Sequence, residues 1–302
     1  MTTLDSRPMP GSYVEIFRRH CRPLDPLATG ERPVLAELAS IRSVLFDLYG
    51  TLFVSGSGEV GTADAASSQT AFGAAMAAVG IHPIRPLQQS VECLFQTIKT
   101  HQARARKTGI DYPEVQIVDV WREVLAELVV REVVDRSESE VADAARLAVE
   151  YEARANPCWP MPHVRPCLRA LGEKSVLLGI ISNAQFYTRE LFEALLGAPA
   201  ERWGFGEDLQ YYSYVYGRAK PGLELFEMAA EGLQGRGISP GEVLYVGNDM
   251  LNDIMPAYRV GFRTALFAGD ARSLRRRHED GRSEGISPDL VLTDLDQLAD
   301  CL

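Results

Sequence analysis

The sequence predicts an α/β fold: a mostly parallel sheet with helices on both faces, interrupted near its start by an all-helical insertion. The first sign is an alternation from residue 164 to the end, where short apolar runs of strand length are separated by helix-length segments. The second is a single earlier run of the same kind, Arg-Ser-Val-Leu-Phe-Asp at 42–47. The third lies between them. Residues 63–153 carry apolar positions at helical spacing and no strand pattern.

Taken in order, residues 1–40 are rich in proline and hold one short helix near 12–20, an N-terminal extension packed outside the core. The run 42–47 is a buried strand, closed by the turn Leu48-Tyr49-Gly50-Thr51. A Gly- and Ser-rich stretch at 55–61 follows, of linker or flap composition. Helical blocks span 63–79, 86–106, 113–132 and 138–153, broken by Gly80, Pro83 and Pro86, by Gly109 and Pro113, and by the polar run at 135–137. Then come a helix at 165–173, a strand at 175–182, a helix at 187–196, a strand at 209–215 and a helix at 221–233. A strand at 242–247, a helix at 252–260 and strands at 262–267 and 290–293 complete the chain. Strands buried on both faces and separated by helices make a Rossmann-like parallel sheet. The expected organisation is an extension (1–40), a core (41–54 and 164–302) and a helical cap (55–163).

The totals narrow the function. A net charge of −10 disfavours a general nucleic-acid binder, which needs a basic surface. The five cysteines form no CxxC pair and read as free thiols of a reducing, cytosolic setting. No apolar run reaches membrane-spanning length, and the first residues carry no secretory signal pattern. The expected partner is a small molecule, with no nucleic acid and no membrane.

The reactive side chains gather at strand ends. Asp47-Leu48-Tyr49-Gly50-Thr51 follows the first strand, Ser182-Asn183 the second, and Lys220-Pro221 the region after the third. Gly247-Asn248-Asp249-Met250-Leu251-Asn252-Asp253 follows the fourth, with two acids four residues apart. In open parallel sheets, ligands bind beyond the carboxyl ends of the strands, so these clusters can converge on one site. A GxxxxGK phosphate loop is absent from the sequence.

In this order, with a helical block between the first two, the clusters resemble the haloacid dehalogenase superfamily, most of whose members are phosphatases. The resemblance implies that Asp47 is a covalent nucleophile, forming an aspartyl-phosphate that water hydrolyses. It implies that Thr51, Ser182, Asn183 and the turn at Tyr49 and Gly50 hold the substrate, and that Lys220 neutralises charge. It further implies a Mg²⁺ ion held by Asp47, the Tyr49 carbonyl and the acidic pair, with Asp249 as direct ligand and Asp253 as partner of Lys220 or of a metal-bound water. The expected reaction is Mg²⁺-dependent hydrolysis of a small organophosphate.

One position departs from that pattern. Family phosphatases carry a second aspartate two residues after the nucleophile, and here that place holds Tyr49. A phenol with a pKa of about 10 is a poor general acid at neutral pH, and losing that group costs roughly 10²–10⁴ in rate. The Asp-x-Tyr-Gly-Thr form resembles the 2-haloacid dehalogenase branch, whose halide leaves without a proton, although no arginine lies between 43 and 84 and Arg85 sits in a poor context. A carbon–phosphorus hydrolase would use a cap lysine, of which Lys99 and Lys107 are read as solvated. A non-catalytic binder of a phosphorylated ligand or partner protein is the remaining alternative. Glu59 in the flap is a weak candidate base. The five histidines show no metal spacing, Trp121 and Tyr151 read as core, and the basic run at 272–278 reads as a solvated helix face.

Overall fold

A computed structural model describes residues 12–57, 65–87 and 90–302. Helix α1 (Tyr13–His20) precedes strand β1 (Ser43–Phe46) and the short β2 (Phe53–Ser55). Five helices follow: α2 (Ala65–Ala78), α3 (Ser90–Arg106), α4 (Ile117–Val130), α5 (Arg136–Val141) and α6 (Ala144–Ala155). Strand β3 (Cys158–Pro160) pairs antiparallel with β2, so a two-stranded ribbon carries the helical insertion. The chain then forms α7 (Val164–Glu173), β4 (Leu177–Ser182), β5 (Phe205–Tyr212), α8 (Ser213–Tyr216) and α9 (Glu224–Gln234). It ends with β6 (Val243–Gly247), α10 (Met255–Arg259), β7 (Arg263–Phe267), β8 (Leu290–Leu292) and α11 (Asp296–Asp300).

Six strands form one parallel sheet in the order β5-β4-β1-β6-β7-β8. Strand β1 is central because it is apolar and buried on both faces, from Ser43 to Phe46. After β1 the chain goes to β4 and β5 on one side, then to β6, β7 and β8 on the other. The order therefore reverses around β1, and a crevice opens beyond its carboxyl end. Asp47 is the first residue past that end. Gly179 in β4 lets the strands approach, since a Cβ there would lie 2.6 Å from both Leu209 O and Leu45 Cδ2.

Several elements differ from the sequence reading. The ribbon β2–β3 is absent from the sequence reading, because its strands have three residues each, too few to show alternation. The strand expected at 209–215 runs from Phe205 to Tyr212. It stops there because Ser213 turns its hydroxyl back to accept the Ala184 N–H. The helix expected at 187–196 is a 3₁₀ turn (Phe186–Arg189) followed by a π-turn (Phe192–Leu196), whose carbonyls at 193 and 194 accept from Arg18 of α1. Helix α1 buries Ile16 and Phe17 between α6 and that turn. The basic run at 272–278 is not a solvated helix. Its arginines reach acids on other segments, Arg276 to Glu31 and Arg277 to Asp249.

Candidate active site

The carboxyl ends of β1, β4 and β6 bring the strand-end clusters together. Lys220 Nζ lies 2.9 Å from Asp47 Oδ1 and 2.6 Å from Asp253 Oδ1. It also reaches Ile181 O at 3.4 Å and the Tyr245 hydroxyl at 3.2 Å. All of these side chains are buried. Burial opposes the Lys220 charge, but the two carboxylates beside it outweigh burial and raise its pKa. Burial also raises the Asp253 carboxyl, with Lys220 opposing and the charges of Asp47 and Asp249 adding to the rise. Tyr245 is a site residue that the sequence reading missed. Its only signal was a phenol in an otherwise aliphatic strand, Val-Leu-Tyr-Val.

Asn183 holds the Lys220 loop with both ends of its amide. Its Oδ1 accepts the Lys220 N–H at 2.7 Å and its Nδ2 donates to the Lys220 carbonyl at 3.1 Å, so it clamps the loop that delivers the ammonium group. Thr51 is fully buried and donates to Asn248 Oδ1 at 3.1 Å, while Asn248 Nδ2 donates to Ser273 O at 2.6 Å. Gly50 permits this packing. It has φ +81°, and a Cβ would lie 2.5 Å from Ser273 Cβ. Ser182, at the end of β4, keeps a buried hydroxyl with no partner among the described residues.

The acidic pair divides its work. Asp253 Oδ2 accepts the Asp249 N–H at 2.9 Å and its Oδ1 faces Lys220 and Tyr245. Asp249 caps the turn that follows β6, accepting from Leu251 N and Asn252 N on Oδ1. Arg277 then closes on both of its oxygens, Nε to Oδ1 at 3.2 Å and a terminal nitrogen to Oδ2 at 2.7 Å. Asn252 Nδ2 adds a further donor to Oδ2 at 3.0 Å.

The family generally uses a divalent metal. A magnesium ion needs free oxygens in an octahedral shell. Here the Asp249 oxygens are saturated by donors and a guanidinium group, and Asp253 is taken by Lys220, Tyr245 and a backbone N–H. The side chains packed against the Gly50 turn are those of Ser273 and Asn248, a hydroxyl and an amide rather than carboxylates. In this arrangement neither acid of the pair offers a free oxygen to a divalent ion. Among the described residues, His163, Asp294 and Asp296 form the one group spaced to share an ion, and there the imidazole already pairs with both acids.

Tyr49 points away from acid–base work. Its hydroxyl lies 2.9 Å from Thr188 Oγ1, and burial, reinforced by Glu152, pushes the phenol well above its usual range. Its ring lines a cavity of about 690 Å³ between the helical insertion and the sheet. Lys220 and Asn183 line the same cavity from the core, and Leu94, Trp121, Tyr151 and Glu152 from the insertion. Lys99 and Arg106 reach it from exposed positions on α3. Arg85 does not, being paired with Glu132. Glu59 lies outside the described residues.

The haloacid dehalogenase-like hydrolase family model matches residues 41–261. The chain belongs to this family. A search of curated proteins finds no match. Among solved structures, the hydrolase resembles a 2-haloacid dehalogenase from Pseudomonas syringae pv. Tomato DC3000, with 20% identity and a TM-score of 0.57 over 86% of this chain and 97% of that one. It also resembles a phosphatase of the family from Thermococcus onnurineus, with 17% identity and a TM-score of 0.52 over 86% and 97%. At these identities the likeness establishes the fold. The reaction has to be argued from the site. Among the described residues, no helix of the hydrolase is long and apolar enough to cross a membrane.

Proposed function

We propose that this hydrolase displaces a leaving group that departs as a stable anion, through an ester on Asp47 and without a divalent metal, with a short 2-haloacid as the substrate type. The observation that carries this reading is the partner of the nucleophile. Asp47 is held by Lys220 at 2.9 Å, and the acid expected to hold the metal is filled by Arg277. Phosphoryl transfer from a monoester asks for extensive charge neutralisation and for a proton on the leaving oxygen. One shared ammonium supplies little of the first, and a buried Tyr49 phenol is no donor for the second. A halide needs no proton.

In this reading an Asp47 oxygen attacks the carbon bearing the halogen. The new C–O bond forms as the C–X bond breaks, and the halide leaves with the bonding pair. Water then cleaves the ester, giving the hydroxy acid and one proton and returning Asp47. Lys220 orients Asp47, and Asn183 and Asp253 orient Lys220. The five free, buried cysteines support a cytosolic setting.

The test is a halide-release assay on short 2-haloacids with EDTA present, beside a phosphate-release assay on phosphate esters with Mg²⁺. The proposal expects halide release that survives EDTA and vanishes in Asp47→Asn. Mg²⁺-dependent phosphate release that vanishes in Asp47→Asn, with no halide from any haloacid, would overturn it in favour of a phosphatase.

A further inference from the structure

Among the described residues, two carboxylates in the cavity have no cation. Glu152 on α6 is buried, and its Oε1 accepts from Asn156 Nδ2 at 3.1 Å. The orientation of that amide is set elsewhere, because Asn156 Oδ1 accepts the Ser57 N–H at 3.2 Å and the Ser55 hydroxyl at 2.7 Å. Glu152 Oε1 therefore faces a donor, and Oε2 lies 3.2 Å from the Tyr187 hydroxyl. Glu114, just before α4, accepts the Val115 N–H at 2.8 Å and the Ser213 hydroxyl at 2.7 Å. Each carboxylate thus has a donor on each oxygen, the pattern of the ionised form. Neither has an ion-pair partner among the described residues.

Both line the cavity that Lys220 lines. The ammonium of Lys220 is already shared between Asp47 and Asp253, so it does not balance them. Burial foremost raises both glutamates, with hydrogen bonds opposing it. Around them stand Tyr49, Tyr112, Trp121, Tyr151 and Tyr187, the kind of aromatic wall that receives a cation on its ring faces. A further, independent feature points to a ligand. Trp121 is fully buried, lines the cavity, and has an indole N–H with no acceptor among the described residues. A buried donor left unpaired is costly, and a ligand oxygen would satisfy it.

We infer that the substrate carries an ammonium or guanidinium group, which Glu114 and Glu152 receive inside the aromatic walls while an oxygen of the same molecule accepts from Trp121. This rests on the proposal that the cavity serves the Asp47 reaction, and it names the substrate class of that site. Lys99 and Arg106 lie in exposed positions on α3 and leave the inner acids unpaired.

The test measures binding and needs no turnover. A series of ω-aminoalkanoates of increasing length is titrated calorimetrically into the wild-type protein, beside the matching unsubstituted alkanoates. The inference expects one chain length at which the amino compound binds at least about tenfold tighter, the range of a charge-assisted hydrogen bond. It expects Glu152→Gln and Glu114→Gln each to remove most of that advantage while leaving alkanoate binding unchanged. Equal or tighter binding of the alkanoates at every length to the wild type would overturn it, and that comparison requires no variant to fold. Failure here with halide release intact would remove the cationic substrate class only. Success here without halide release would move the fault to the proposed reaction.

Discussion

Replacing Lys220 by Met removes the one ammonium between Asp47 and Asp253 while keeping nearly the same length and apolar stem. The side chains are 3%, 11% and 1% exposed, so neither carboxylate can turn to water. Breaking a buried ion pair from one side costs about 3–5 kcal/mol. Asp253 retains the Asp249 N–H and the Tyr245 hydroxyl, which lowers the cost, and Asp47 loses its cation, which raises it. About 4 kcal/mol is the expected loss near pH 8, or roughly 10 °C in Tm for a chain of this size. Without the cation the Asp253 carboxyl, already raised by burial, rises further in the folded state. A raised carboxyl contributes stability that is present below its unfolded pKa of about 3.9 and is lost as pH climbs to the folded value. The defect of Lys220→Met is therefore large at pH 8 and shrinks towards pH 5. Adding Asp253→Asn should return about 1–3 kcal/mol, because one of the two stranded charges is gone. Thermal melts by circular dichroism at both pH values, with urea titrations for the free energies, read all of this. Lys220→Met melting with the wild type at pH 8, or gaining nothing from Asp253→Asn, would refute the reasoning.

Arg277→Met should cost about 2 kcal/mol, below the usual figure for a buried pair because Asp249 keeps three other donors. Mg²⁺ should raise the Tm of that variant and leave the wild type unmoved, and a wild-type Tm that climbs with Mg²⁺ would contradict the assignment of Arg277. Tyr49→Phe should keep halide release within roughly threefold of wild type, whereas a general acid at this position would show a loss of about 10² or more. Glu152→Gln should be the more stable protein at neutral pH, by a margin that grows as pH rises from about 4.3 towards the raised folded value and then levels off. Urea titrations across that range check it, and a margin that shrinks with rising pH would be the wrong sign.

The strand-end chemistry was legible because it is local. An apolar run ending in Asp47, a Gly turn, and acids spaced as Asp249 and Asp253 can all be read from adjacent residues. The parallel sheet followed from the alternation, and the insertion from its helical period. What remained hidden depends on contacts across the fold. Arg277 looks like surface until the chain after β7 folds back to place Arg275 beside Asn248 and Asp249. The grip of Asn183 on the Lys220 backbone joins residues far apart in the chain and shows only when both ends of its amide meet that loop. Glu114 and Glu152 sit in helical or loop segments whose polarity reads as solvated. Only the packing of the helical insertion over the turn that follows β4 reveals that they face a cavity. The ribbon β2–β3 was hidden for another reason: pairs of three-residue strands joined over a hundred residues leave no periodic trace.

The central claim is that Asp47 itself forms the bond to substrate. Wild-type protein turned over with excess 2-chloropropionate in water enriched in heavy oxygen, then digested for mass spectrometry of the peptide holding Asp47, tests it directly. The ester route places solvent oxygen in the Asp47 carboxylate, so that peptide must gain heavy oxygen while the Asp47→Asn peptide does not. Halide release with an unlabelled Asp47 peptide would mean that water attacks the substrate without a covalent intermediate, and the account would be wrong.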